Sequence, residues 1–316
     1  MSIEFDRAHW ALILGGSSGF GLATARALAH RGMSVAIAHR DRRGAMPAIE
    51  QEFEKIRATG VGFVSVNADA LTAPGRASIL DALAAAMGES GRVRLLLHSI
   101  AFGNLKPIAP VAPSTQPIAR TRARLAEALG VTPEALLSAT ISVAASEDAD
   151  AAYALCDPPA LDSEMLLEEE DFARTVHAMG TSLATYAQAL FALKLFAADA
   201  RVLALTSEGN EVAWRGYAAV SAAKAALESV SRSIAREFGP YGIRSNIVQA
   251  GVTDTPALRL IPGSESMKAD ARGRNPLGRL TTPEDVANVI CLLCTDEAGW
   301  MNGSIVRVDG GERIAR

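Results

Sequence analysis

The chain predicts a single doubly wound α/β domain built on a parallel sheet, and three observations carry that prediction. Short apolar runs alternate with amphipathic stretches from residue 10 to about 100, and again from about 170 to the end; strands alternating with helices imply parallel crossovers. A glycine-rich turn, "LGGSSGFGLATA", joins the first apolar run to the first helical stretch. The 316 residues are 49% hydrophobic, enough to bury one large core.

Taken in order, "WALILGG" reads as a strand ending in glycines, "FGLATARALAHRG" as a helix closing on Gly32, and "MSVAIAH" as the next buried strand. A helix over about 45–59 follows, then "VGFVSVNAD" as a third strand, the helix "RASILDALAAAMG" and a fourth strand "VRLLLHSIA". The alternation breaks between residues 104 and about 168, where prolines flank room for one or two short helices. A structureless loop of that length is unusual inside a compact domain, so the segment reads as a partly helical insertion folded over the sheet edge. Alternation resumes with a helix near 170–197, the strand "ARVLALTS", a helix carrying Tyr217 and Lys224, the strand "IRSNIVQAG", a helix in "TPEDVANVICLLCTD" and a last strand "SIVRVDGG". Residues 1–316 thus form one domain, with the insertion at about 104–168.

Composition narrows the function. The net charge is −4 and the cations are scattered among acids, which argues against nucleic-acid or anionic-membrane partners. Cys156, Cys291 and Cys294 are too few for a disulfide framework, and "CLLC" lies in an apolar helical run without a second ligand pair, so no metal site is expected. The first residues lack a signal-peptide pattern, and no apolar run approaches the roughly 20 residues of a spanning helix. A soluble cytoplasmic protein is expected.

The glycine turn carries the first chemistry. Gly15, Gly19 and Gly21 form G-x-x-x-G-x-G between strand and helix, with Ser17, Ser18 and Phe20 inside the same turn. Gly15 permits the turn, Gly19 lets backbone amides approach a pyrophosphate, and the following helix points its positive end at the phosphates. The second strand then runs into "AHRDRR", cationic where an acidic residue would hold the ribose hydroxyls of NAD. NADPH is expected, with Arg40 on the 2′-phosphate; Asp41 leaves NADH open. Asp69, after the third strand, is placed to hydrogen-bond the adenine.

With the Tyr and Lys helix, the "RSN" strand at 244–246, the "AGVTDT" loop and the terminal "VDGG", this turn resembles the short-chain dehydrogenase/reductase family over the whole chain except the insertion. The resemblance implies a Rossmann-type seven-stranded parallel sheet, a nicotinamide cofactor and a homotetramer or homodimer. It also implies that Ser99, Ile100 and Ala101 in "LHSIAFG" and Gly251 line the cofactor site, that the Thr253 backbone reads the carboxamide, and that Thr255 contacts the diphosphate. The segment after it would be a substrate-binding lid.

Tyr217 and Lys224 are seven residues apart, where the commonest family pattern spaces them by four. On a helix seven residues turn through about 700°, leaving the two within about 20° in azimuth and about 10.5 Å apart along the axis, against about 6 Å for four. Val220 occupies the nearer position. In ketone reduction hydride and proton land on adjacent atoms. In conjugate reduction of an enoyl thioester hydride lands on the β-carbon while charge develops on the more distant thioester oxygen, so a more distant acid fits. The Tyr-x6-Lys spacing, "LHSIAFG" and "TSEG" at 206–209 are similar to the enoyl-acyl-carrier-protein reductases of the family. That likeness implies Tyr217 as the donor to the enolate, Lys224 on the nicotinamide ribose, and Ser207 as an assisting group. His177 falls where carbonyl reductases carry a relay asparagine.

The expected function is NADPH-dependent reduction of a trans-2-enoyl thioester on acyl carrier protein or coenzyme A, as in fatty acid biosynthesis. A carbonyl reductase of specialised metabolism and a non-catalytic nucleotide-binding regulator are the alternatives. The insertion, longer than the corresponding connection in ordinary enoyl reductases, is expected to reshape the acyl mouth.

Overall fold

In the computed structural model of the protein, which describes residues 3–110, 117–144, 150–156 and 165–315, seven strands form one parallel sheet. They are β1 (His9–Leu14), β2 (Ser34–His39), β3 (Phe63–Asn67), β4 (Arg92–His98), β5 (Phe196–Thr206), β6 (Ile243–Ala250) and β7 (Ile305–Val308). The helices are α1 (Gly19–Ala29), α2 (Met46–Arg57), α3 (Ala73–Met87), α4 (Pro117–Leu129), α5 (Pro133–Ala144), α6 (Glu169–Val176), α7 (Ser182–Ala192), α8 (Ala218–Phe238), α9 (Pro256–Arg259), α10 (Ser264–Arg274) and α11 (Pro283–Leu293). The spatial order β3-β2-β1-β4-β5-β6-β7 matches the expected doubly wound sheet. The chain builds outward from β1 to β3 and then restarts beside β1 with β4, so the crevice of such a sheet opens at the carboxyl ends of β1 and β4.

Side chains alternate across each strand, which divides the core in two. From β1, Ala11 and Ile13 pack with α1, α2 and α11 on one face, while Trp10, Leu12 and Leu14 pack with α3, α7 and α8 on the other. Cys291 and Cys294 belong to the first cluster, and burial pushes their thiols up to about 11 and about 12, so they act as small apolar groups. At the end of the sheet away from the crevice, the fully buried Arg201 donates to the carbonyls of Leu293 and Thr295, and Arg94 donates to that of Cys294. Both also pair with Asp199. These cations satisfy carbonyls that α11 leaves open at its C-terminus, where positive charge is favoured.

The helix expected near 170–197 is two helices, α6 and α7, joined by a π-helical turn over His177–Thr181. Within the insertion, α4, α5 and a 3₁₀ turn at Asp150–Leu155 are described; Arg122 donates to the Leu155 carbonyl at 3.0 Å, and the turn packs against α10. Among the described residues, no helix is long and apolar enough to cross a membrane.

Candidate active site

The carboxyl ends of β1, β4, β5 and β6 surround a cavity of about 360 Å³. Its first wall is the β1–α1 turn. Gly15 holds φ +85°, and a Cβ there would stand 2.6 Å from the Ser99 carbonyl oxygen, so the turn closes against the end of β4 only with glycine. Ser18 occupies the N-cap of α1 without a side-chain capping bond, which leaves the first amides of that helix unpaired by a side chain. Phe20, Ser99, Ile100 and Ala101 line the cavity; Gly15, Ser17, Ser18, Gly19 and Gly21 lie in the turn beside it.

Arg40 and Asp69 sit together at the ends of β2 and β3, outside the cavity lining. The Arg40 guanidinium donates to the Asp69 carboxylate at 2.8 Å and stacks 4.9 Å from the Phe102 ring centroid. Burial works to raise the Asp69 pKa, but the Leu71 amide and Arg40 outweigh it and hold the carboxyl below its ordinary value. Asp41 is engaged with the His39 imidazole at 2.9 Å, while Arg42 and Arg43 are exposed.

Tyr217 differs from its expected place inside the helix. It is the N-cap of α8, with φ −105° and ψ 3°, and its carbonyl accepts the Ser221 amide at 2.8 Å. Its ring packs over Gly209, where a Cβ would meet Tyr217 Cε1 at 2.3 Å, and lies 5.8 Å from the Trp214 ring. Burial raises the Tyr217 pKa, with the neighbouring Ser207 pulling the other way, so the phenol stays protonated as a donor. Ser207 Oγ is close enough to influence Tyr217 yet is buried without a well-formed hydrogen bond among the described residues.

Lys224 is buried one helical stretch further on. Its Nζ donates to the Leu205 carbonyl at 2.7 Å, and burial, opposed by the charge of Glu228, lowers its pKa to about 8. His98, at the end of β4, shares a 2.8 Å bond with Ser182 Oγ; burial and then the Lys224 charge push it down to about 3, so it is neutral. His177 stands in the π turn, within 3.3 Å of Thr181 Oγ1, and does not line the cavity.

Gly251, Thr253 and Thr255 form the wall after β6. Thr253 Oγ1 donates to the Gly251 carbonyl, and the Thr255 hydroxyl caps α9 by accepting the Leu258 amide at 3.2 Å. Leu258, Ile261 and Met267 from α9, α10 and their junction close the cavity from above. A second cavity of about 510 Å³ adjoins it, sharing Leu105, Trp214, Tyr217, Ile261 and Met267.

Sequence reasoning missed several residues of this site. Glu312, near the C-terminus, lines the cavity and accepts the Val252 amide at 3.0 Å; burial raises its pKa. Arg274 of α10 bridges Glu312 and Glu208 at 3.1 and 3.0 Å. These contacts join segments far apart in the chain, and no local pattern announces them. Glu228, four residues after Lys224, was within reach of helical spacing.

The arrangement fits a dinucleotide: a glycine turn that tolerates no Cβ, an uncapped helix N-terminus and a buried cation surround one cavity. Comparison with known proteins agrees. Residues 9–117 match the family model described as short chain dehydrogenase, and residues 151–312 match the one described as enoyl-(acyl carrier protein) reductase. An uncharacterized oxidoreductase of Methylorubrum extorquens is 26% identical over 307 residues, 96% of this chain and 97% of that one. A 1-cyclohexenylcarbonyl-CoA reductase of Streptomyces collinus is 38% identical over 125 residues, 39% of this chain but only 45% of that enzyme. The crystal structure of an enoyl-[acyl-carrier-protein] reductase (NADH) from Aquifex aeolicus superposes with a TM-score of 0.70 at 21% identity, covering 99% of this chain and 98% of that one, a likeness of fold.

Proposed function

The chain belongs to the short-chain dehydrogenase/reductase family of oxidoreductases, and from that premise we propose that it reduces the 2,3 double bond of a trans-2-enoyl thioester with NADPH. The observation that carries this reading is the place of Tyr217. It caps α8 seven residues before Lys224, while the position one turn nearer to Lys224 is filled by the buried, apolar Val220. A donor set back in this way suits an oxygen remote from the carbon that receives hydride.

A nicotinamide cofactor bound in the crevice supplies the hydride. The chain's own groups do the rest. The protonated Tyr217 hydroxyl donates to the thioester oxygen as negative charge develops there, and the Lys224 cation stabilises that charge and holds ribose hydroxyls with its remaining donors. Phe102, Leu105, Met179 and Ile261 supply apolar walls that exclude water and suit an acyl chain. The second double-bond carbon then takes a proton from solvent, giving the saturated thioester. For cofactor choice, Arg40 with the exposed Arg42 and Arg43 favours a 2′-phosphate, which would take over the Asp69 side of the Arg40 pairing. The acyl carrier, coenzyme A or acyl carrier protein, would reach the site through the adjoining cavity beside Trp214.

One observation favours a second reading. The buried Ser207 Oγ beside Tyr217 is the kind of hydroxyl that steadies a ketone oxygen, as in carbonyl reduction. Isotope placement separates the two. With cofactor deuterated at the transferred position and a crotonyl thioester, deuterium is expected on the β-carbon and a solvent proton on the α-carbon; deuterium on a carbinol carbon from a ketone, with the thioester untouched, establishes the second reading. Tyr217→Phe is expected to lower kcat by about 10²–10³, the cost of one oxyanion donor.

A further inference from the structure

Glu228 is a buried carboxylate, 8% exposed, that the chemistry above does not use. It lies on α8 four residues after Lys224, so both side chains leave the same face of the helix. Its Oε1 accepts two hydrogen bonds, from Thr206 Oγ1 at 2.8 Å and from Asn210 Nδ2 at 2.8 Å. These donors bracket the segment Ser207–Gly209, which brings Ser207 beside the Tyr217 hydroxyl and Gly209 under the Tyr217 ring. A carboxylate is costly to bury, and an apolar side chain would fill the same helix face, so two donors converging on one oxygen, with the Lys224 cation one helical turn away, mark a group with a task.

We propose that Glu228 is the positioning residue of this site: it pins the Thr206–Asn210 loop that sets Ser207 and Gly209 against Tyr217, and it provides the counter-charge for Lys224. Two otherwise separate parts of the machinery, the donor and the cation, are thereby held by one side chain. The proposal rests on the roles read above for Tyr217 and Lys224, but not on whether the acceptor is an enoyl thioester or a ketone.

The charges around Lys224 make the second role testable. Glu228 acts on Lys224 from its own helix, the neutral His98 on β4 feels the charges of Lys224 and of His177 in the π turn, and Glu208, Tyr217, Asp309, Glu312 and Arg313 line the same cavity. Among the described residues, Glu228 is the carboxylate whose charge bears on Lys224. Lys224 loses its proton near pH 8, and without the Glu228 charge it loses it at lower pH.

Glu228→Gln keeps an acceptor oxygen for Thr206 and Asn210 but removes the charge. NADPH binding, followed by cofactor fluorescence from neutral to alkaline pH without any acyl substrate, is expected to lose affinity about one pH unit or more earlier in this variant. Asn210→Ala leaves the charge and frees the loop. It is expected to keep the alkaline limb where the native protein has it and to lower kcat about tenfold or more, read with whichever acceptor the native protein turns over. Should Glu228→Gln fail to fold, Glu228→Asp retains the charge with a shorter reach, and is expected to lose rate without moving the limb. An unmoved limb in Glu228→Gln, a moved limb in Glu228→Asp, or native turnover in Asn210→Ala overturns the proposal. A native protein that reduces only ketones would instead overturn the enoyl reading and leave these outcomes legible.

Discussion

Tyr217 shows what a single residue's surroundings add to its spacing. The seven-residue separation from Lys224 is plain in the sequence, but its capping position depends on where α8 starts, and that is set by tertiary contacts with Gly209 and Trp214. Arg40 is similar. Its position at the end of β2 is readable from the pattern, whereas its pairing with Asp69 and stacking on Phe102 join three strand ends that only the folded sheet brings together. His98 yields a prediction at this scale. Its folded pKa of about 3 lies below its ordinary value of 6.5, so the unfolded chain binds the extra proton first as pH falls. Stability from this burial is fully present above pH 6.5 and is lost progressively below it; the half-buried His9, also held low, adds to the same slope. Chemical denaturation at stepped pH is expected to show stability falling from pH 6.5 downward before the carboxylates titrate, with a shallower fall in His98→Asn.

Among the elements, α10 is tied to two loops of the site by one side chain. Arg274, at the end of α10, bridges Glu208 after β5 and Glu312 after β7, so α10, the Ser207 loop and the C-terminal turn meet at a single guanidinium. Arg274→Ala would leave the buried Glu312 without its cation, an imbalance worth about 1–3 kcal/mol. The expected result is a lower melting temperature and a raised KM for the acyl substrate with a smaller change in kcat, measured by thermal unfolding and steady-state kinetics. Elements with strong periodicity, such as β1, α1 and α11, were legible because each buries one face against the sheet. The π turn at His177–Thr181 was not, because it lies inside one continuous helical run from α6 to α7, whose ends a pattern marks but whose internal change of hydrogen-bond partner it does not. The insertion's helical character was legible from its prolines and length. Its contact with α10 was not: the Asp150–Leu155 turn packs on that helix, so the insertion's influence on the acyl mouth is expected to act through α10.

Across the whole molecule, the order β3-β2-β1-β4-β5-β6-β7 converts seven separate strand ends into one crevice. The glycine turn, the Ser99–Ala101 segment, the Ser207 loop and the Gly251–Thr255 loop follow β1, β4, β5 and β6 respectively, which is why residues scattered over the chain line one cavity. That convergence was readable in outline, since each motif follows a predicted strand. We propose that this cavity performs conjugate reduction, with its donor set back from Lys224. The most direct test is the rate of NADPH and NADH oxidation with a crotonyl or 2-decenoyl thioester, run beside a panel of ketones and aldehydes. Oxidation of NADPH with the enoyl thioester, exceeding that with any carbonyl compound and that with NADH, is the predicted result; turnover of carbonyl compounds alone would contradict it.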